Sequence, residues 1–159
     1  MRIILDSVAI KSVQLSTLFF VGELGMQNKT IIDTAEWPVC VIHSFPKTLD
    51  ETRLWLEEMD MLLARRAQFV LVYPPVKQSK EKPSEEHMNA MKYVRRWLKH
   101  AKEPMVEHCR AMVVTLQPDG SDKEDMEQMA PLLSAFYGPE VFIEHNIAAA
   151  KKYATALIS

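Results

Sequence analysis

Glycine is scarce in this chain, with four in 159 residues at Gly22, Gly25, Gly120 and Gly138. Phosphate cradles need glycines so that backbone amides can close around an anion, and no Walker or dinucleotide fingerprint occurs. That argues strongly against an ordinary P-loop ATPase or a nicotinamide-dependent dehydrogenase, though not against every nucleotide binder. Cysteine is scarcer still. Cys40 falls in a segment that reads as a buried strand and Cys109 at the end of a helix, a placement that fits two reduced core thiols of a cytoplasmic protein rather than a disulfide. None of the histidines, His43, His87, His100, His108 and His145, pairs with another histidine or a cysteine at a zinc-site spacing, so neither a metal nor a cofactor is expected. No apolar run approaches the roughly 18 to 20 residues that cross a bilayer. The first segment, broken by Asp6, Lys11 and Gln14, lacks the form of a secretory signal. A formal charge of -2 and a pI near 6.2 give no global attraction to nucleic acid or to anionic membranes.

What the chain has is enough apolar content, 48%, for one domain with its own core. Residues 30–159 read as that domain and residues 1–29 as an N-terminal extension, in which Ile3-Ile4-Leu5 and Leu18-Phe19-Phe20-Val21 have the composition of short strands. The codons of Gly22-Glu23 form a purine-rich run like a ribosome-binding site just upstream of Met26. Translation is therefore expected to begin at Met26, and an abundant native peptide from residues 3 to 25 in mass spectrometry would sink that expectation.

The rest is arranged around Phe69-Val70-Leu71-Val72-Tyr73, an unbroken apolar run stopped by Pro74-Pro75. With no polar alternation it reads as a strand buried on both faces, central in a parallel sheet. The loop from Val76 to Glu86 follows it, at the carboxyl edge where such sheets bind ligands. Before it come a short edge strand at Thr30–Asp33, a buried strand at Val39–Phe45, and a helix to about Arg66 opened by the capping box Thr48-Leu49-Asp50-Glu51. On that helix Trp55, Leu56, Met59, Leu62 and Leu63 form the inner stripe, and Glu57, Glu58, Arg65 and Arg66 stay solvated. After the loop a helix begins near Pro83-Ser84 with Met88, Met91, Val94, Trp97 and Leu98 inward. Pro104 is expected to end it, a short turn then leading to a strand at Ala111–Leu116. A second capping box at Ser121–Glu124 starts a helix carrying Met126, Met129, Leu132, Leu133 and Phe136, with a kink or restart at Pro131. A strand at Val141–Glu144 and a helix capped by Asn146 complete the order. Strand then helix, four times over from Val39, predicts an α/β fold: a mainly parallel sheet of four to five strands covered by helices.

Three groups of residues are candidates for a site. His43 and Ser44 lie near the carboxyl end of one strand and Tyr73 ends the next, so a pocket at that edge would place a histidine where a general base is useful. No acidic orienter or oxyanion loop accompanies it, and the plainer reading is a structural histidine hydrogen-bonded at the rim of the core. Lys92, Arg95, Arg96, Lys99 and Lys102 recur at spacings of three and four and form a basic ridge on an outer helix face. No aromatic residue interleaves with them to stack bases, which argues against nucleic acid and for a solvated face or an acidic protein partner. Ser84, at a helix amino terminus, is a cap that would also welcome a phosphate.

From Val39 onward the order of elements resembles STAS domains of the anti-sigma-factor-antagonist type, and especially the bacterial STAS-like or SpoIIAA-like families. The matching segments are Val39–Leu63, Phe69–Tyr73, Ala111–Leu116 and Val141–Leu157, about three quarters of the chain. The family carries an Asp-Ser-Ser-Gly-like loop whose serine or threonine is phosphorylated to switch binding to a kinase partner. Here the segment reads Lys80-Glu81-Lys82-Pro83-Ser84-Glu85-Glu86, with Ser84 at the helix start and the aspartate and glycine absent. The resemblance implies a non-enzymatic regulatory module that presents the loop and the following helix to another protein, a second copy of the chain being an allowed partner. The alternative expectation is a small-molecule-binding protein or small enzyme using His43, Ser44 and Tyr73.

Overall fold

The computed structural model describes residues 30–76 and 82–159. The strands expected at 3–5 and 18–21, the start at Met26 and positions 77–81 of the loop lie outside the described residues. In chain order the described elements are β1 (Ile32–Glu36), β2 (Val39–Ile42), α1 (Leu49–Ala64), β3 (Phe69–Tyr73), α2 (Glu85–His108), β4 (Cys109–Thr115), α3 (Lys123–Tyr137), β5 (Val141–Glu144) and α4 (Ile147–Ile158). The strands form one five-stranded sheet in the order β1-β2-β3-β4-β5. β1 is an antiparallel edge, and every other neighbouring pair is parallel.

This order follows from the sequence through the handedness of crossovers. Each helix from α1 to α3 joins a strand to its next parallel neighbour, and right-handed crossovers in one direction put all three on the same face. α4, after the last strand, covers the other. The side chains of β3 divide accordingly. Phe69, Leu71 and Tyr73 pack into the core under α1 to α3, whereas Val70 and Val72 join Ala111, Val113, Ala150 and Ala154 beneath α4. Small residues on both sides of that second layer let α4 approach closely. All five residues of β3 are buried, as its apolar run predicts. One extra residue, Arg110, is accommodated where the register with β3 slips between Phe69–Cys109 and Val70–Ala111, and it points its exposed side chain outward.

Several local expectations change under tertiary packing. α2 runs through Pro104 to His108, a span of 24 residues, so Cys109 opens β4 instead of ending a helix. Proline removes one ladder bond, at a cost of ~3 kcal/mol in a helix interior, but Ala101 and Met105 on either side of it are buried and hold the axis against the sheet. α3 likewise continues through Pro131. Its cap is Asp122 and not Ser121, and Asp122 accepts the amide of Gln117 at 3.0 Å instead of capping its own helix. Met88 and Leu132, placed on inner stripes by their spacing, are 56% and 70% exposed. Glu58, expected in solvent, reaches β1: its carboxylate accepts the amides of Ile31 at 3.0 Å and Ile32 at 2.7 Å. Arg65 is exposed as expected, with its guanidinium lying 4.2 Å from the Trp37 ring centre. Among the described residues no helix is long and apolar enough to cross a membrane.

Candidate functional site

The parallel strands end where the chain was expected to bind ligands, and there the layer between sheet and helices is not filled. β2, β3 and β4 deliver Ile42, Tyr73, Met112 and Val114 to the floor of a cavity of about 340 Å³. α1 adds Thr52 and Trp55, α2 adds Ala90, Met91 and Val94, and α3 adds Met129, Leu133 and Tyr137. The α3 positions are spaced by four, so they line one face of a helix whose only fully buried side chain is Met126. That helix stands off the sheet enough to leave the space open.

The loops that close the strands are stitched to one another. Thr115 donates its hydroxyl hydrogen to the Tyr73 carbonyl at 2.8 Å, and the Gln117 side-chain amide donates to the Val76 carbonyl at 2.8 Å. Phe45 stacks on Tyr73 with ring centres 5.9 Å apart. At the rim, Lys47 and His87 are exposed. The Glu86 carboxylate accepts the amide of Leu49 at 3.0 Å, tying the first turn of α2 to that of α1. Thr48 caps α1 by accepting the Glu51 amide at 3.0 Å, and Glu51 in turn accepts the amide of Lys47 at 2.7 Å.

Polar atoms inside are few and neutral. Tyr73 donates its hydroxyl to the Met112 sulfur, a weak acceptor, at 3.8 Å. Burial, together with the neighbouring Tyr137, holds the Tyr73 hydroxyl well above its ordinary pKa, and burial pushes Tyr137 up to about 12. Thr52 donates back to the Thr48 carbonyl at 2.9 Å. Trp55, packed between Trp97 and the edge of Tyr137, is buried, and its indole N–H has no partner among the described residues.

Of the residues singled out from sequence, Tyr73 lines the cavity and His43 and Ser44 do not. Both are exposed. The His43 amide pairs with the Ile31 carbonyl at 2.9 Å, while its ring turns outward with Nε2 3.9 Å from the Asp33 carboxylate, beyond hydrogen-bond length. Ser84 caps α2, accepting the His87 amide at 3.0 Å. Lys92, Arg95, Arg96 and Lys99 are exposed along α2. An aromatic residue does interleave with them: Tyr93 has the Arg53 guanidinium 5.0 Å and the Arg96 guanidinium 5.7 Å from its ring centre, and Arg53 also donates to its hydroxyl at 2.7 Å. That contact joins α1 to α2 and has no signature within either helix alone. Both cysteines are free and buried. Among the described residues no three metal-ligating side chains converge.

Sequence reasoning missed Trp55, Ala90, Met129, Leu133 and Tyr137 as site residues, having placed most of them on core-facing stripes. The spacing of Met129, Leu133 and Tyr137 was legible; that they line a space instead of filling it was not. Comparison with family models, with curated proteins and with solved structures gives no match.

Proposed function

We propose that this chain is a small-molecule-binding protein that takes a largely apolar ligand into the cavity at the carboxyl end of its parallel strands. The cavity itself carries the reading. Its volume of about 340 Å³ falls in the roughly 300–1,000 Å³ range of small-molecule sites. Fully burying one valine, leucine or methionine side chain stabilises a fold by ~1.5–3 kcal/mol. A marginally stable domain that leaves Met91, Met129 and Leu133 only half-packed around open space forgoes part of that gain. A bound ligand would restore it. The reading is binding without catalysis, because the hydroxyls of Tyr73 and Thr52 are engaged and no nucleophile stands beside a base in the lining.

Titrating the full chain with the neutral dye N-phenyl-1-naphthylamine tests this. A saturable rise in fluorescence, reversed by competing apolar compounds, is the expected result. A ligand at 100 times its dissociation constant adds ~2.7 kcal/mol, so the melting temperature should rise by roughly 5–10 °C for a chain of this size. If neither the dye nor a panel of apolar metabolites gives a saturable response, the reading fails.

A second reading is a STAS-like regulatory module without catalysis that contacts another protein through α2 and the loop before it. It is supported by a separate surface, the exposed ridge with Tyr93 held between Arg53 and Arg96, since arginine and tyrosine are enriched among binding hot spots. Co-purification at physiological salt that is lost in Arg53→Glu/Arg96→Glu would support it. A chain that stays alone would count against it.

A further inference from the structure

Resting on the reading of the chain as a small-molecule binder, we propose that its ligand is an amphipathic acid. The apolar body fills the cavity, and the single carboxylate stays at the mouth against Lys47 and His87.

The mouth is where the wall changes character. Lys47 and His87 are the only lining residues whose side chains can carry a positive charge, and no aspartate or glutamate lines the cavity. Both are exposed, so the cavity reaches solvent where they stand. They come from different elements, Lys47 from the segment before α1 and His87 from the first turn of α2. The bond from the Leu49 amide to the Glu86 carboxylate, at 3.0 Å, holds those two segments together, since Leu49 lies just past Lys47 and Glu86 is the chain neighbour of His87.

This pair suits an anionic head. An ammonium offers three donors and an imidazole at least one N–H in either protonation state, which is what carboxylate oxygens accept. The stem of a lysine can lie along an apolar wall while its ammonium stays in water. Glu51 and Glu86, close by in the chain, lie outside the lining, and their carboxylates already accept the amides of Lys47 at 2.7 Å and Leu49 at 3.0 Å. α1 and α2 both begin here, and the positive ends of their dipoles favour the same sign. The rest of the wall asks for an apolar body. It is aliphatic and aromatic, and the hydroxyls of Thr52 and Tyr73 are engaged within the protein.

Volume sets the size of that body. A cavity of roughly 150 Å³ holds one benzene ring, and by that yardstick 340 Å³ holds about a dozen non-hydrogen atoms. Met91, Met112 and Met129 can adapt to its outline, so a ten-carbon chain and a bicyclic ring both meet the requirement.

Calorimetry with the full chain tests the head on both bodies. The probes are decanoate, 1-decanol and decylamine, with 2-naphthylacetate and 2-(2-naphthyl)ethanol as the ring pair. On at least one body the acid is expected to bind about 3- to 10-fold tighter than the alcohol, the ratio that two partly exposed charge contacts give. Decylamine should bind more weakly than decanoate. In Lys47→Met/His87→Gln the acid and the alcohol should converge to within about twofold. If that variant does not fold, the wild-type chain still answers: raising salt from about 0.02 M to 0.5 M should remove at least half of the acid's advantage, because exposed charges are screened. Acids that bind no tighter than the alcohols on either body overturn the proposal, as does an advantage that survives both the substitutions and the salt. Decylamine binding tighter than decanoate would mean that Glu51 and Glu86 set the sign of the mouth, and overturns it too. Each of these results leaves the cavity a binding site. If none of the five compounds binds, the proposal and the reading beneath it both fall.

Discussion

Trp97 donates its indole hydrogen to Asp60 at 2.7 Å, binding α2 to α1, while Trp55 beside it, with ring centres 6.4 Å apart, has no such partner among the described residues. A double-mutant cycle with Trp97→Phe and Asp60→Ala measures what the paired indole contributes. Each single change is expected to cost about 1–2 kcal/mol in urea denaturation, with a coupling of about 1 kcal/mol between them. Strict additivity would mean that the bond adds nothing.

Glu58 serves as a substitute strand partner. Among the described residues β1 is the edge of the sheet and the two amides at its start meet no strand, so the carboxylate of Glu58 on α1 takes both. Glu58→Ala should lower stability by about 2 kcal/mol, within the range for hydrogen bonds to a charged group. Hydrogen exchange locates the effect: the amides of Ile31 and Ile32 should lose protection while those of β3 keep theirs. Uniform loss across the sheet would contradict the assignment.

Burial makes Cys109 a source of alkaline sensitivity. Its thiol, 2% exposed, is pushed by burial from an ordinary value of 9.0 up to about 12. Between those values the unfolded chain has released a proton that the folded chain keeps, so stability present below about pH 9 is lost as pH rises toward 12. Tyr73 and Tyr137 act in the same direction. From pH 8 to pH 10 the unmodified chain should lose about 1 kcal/mol more than Cys109→Ala, since one pKa unit corresponds to ~1.4 kcal/mol. Parallel losses in the two proteins would rule the thiol out as a cause.

The parts of this fold that were legible in the sequence are those decided locally or by one strong pattern. Phe69–Tyr73 has no polar alternation because both its faces are covered, and Thr48 and Asn146 are caps because a short acceptor at a helix start has few other uses. Edge strand β1 was found but displaced toward Glu36, since its partly exposed residues carry only half a pattern. Pro104 misled because a local rule was overruled by the burial of Ala101 and Met105, which no single-helix reading can weigh. The site was legible only through Tyr73. A cavity is a sum over side chains from three helices and three strands, and the shortfall that leaves it open between α3 and the sheet is written in no one segment. His43 and Ser44 were placed by strand position alone. β2 ends at Ile42, and the two residues after it are exposed, the His43 amide pairing with the Ile31 carbonyl beside the edge strand, so the chain rejoins the cavity wall only at Phe45.

Ala90 offers the most direct control over that space. It lies on the buried face of α2, 8% exposed, and lines the cavity between Tyr73 and the helices. Ala90→Leu adds three carbons there. If the cavity is open, these are buried at a gain of ~0.8 kcal/mol per methylene, set against an overpacking strain of roughly 1–3 kcal/mol where they collide with the walls. The melting temperature should therefore stay within a few degrees of the parent, while affinity for N-phenyl-1-naphthylamine falls at least tenfold because its place is taken. Met61→Leu, at a position 68% exposed, should change neither property. Thermal melts and dye titrations of the three proteins side by side distinguish the outcomes. Retained stability with lost binding identifies the cavity as the site. Retained stability with full binding would put the ligand elsewhere, and a steep loss of stability would mean that the space is already occupied by tightly packed side chains.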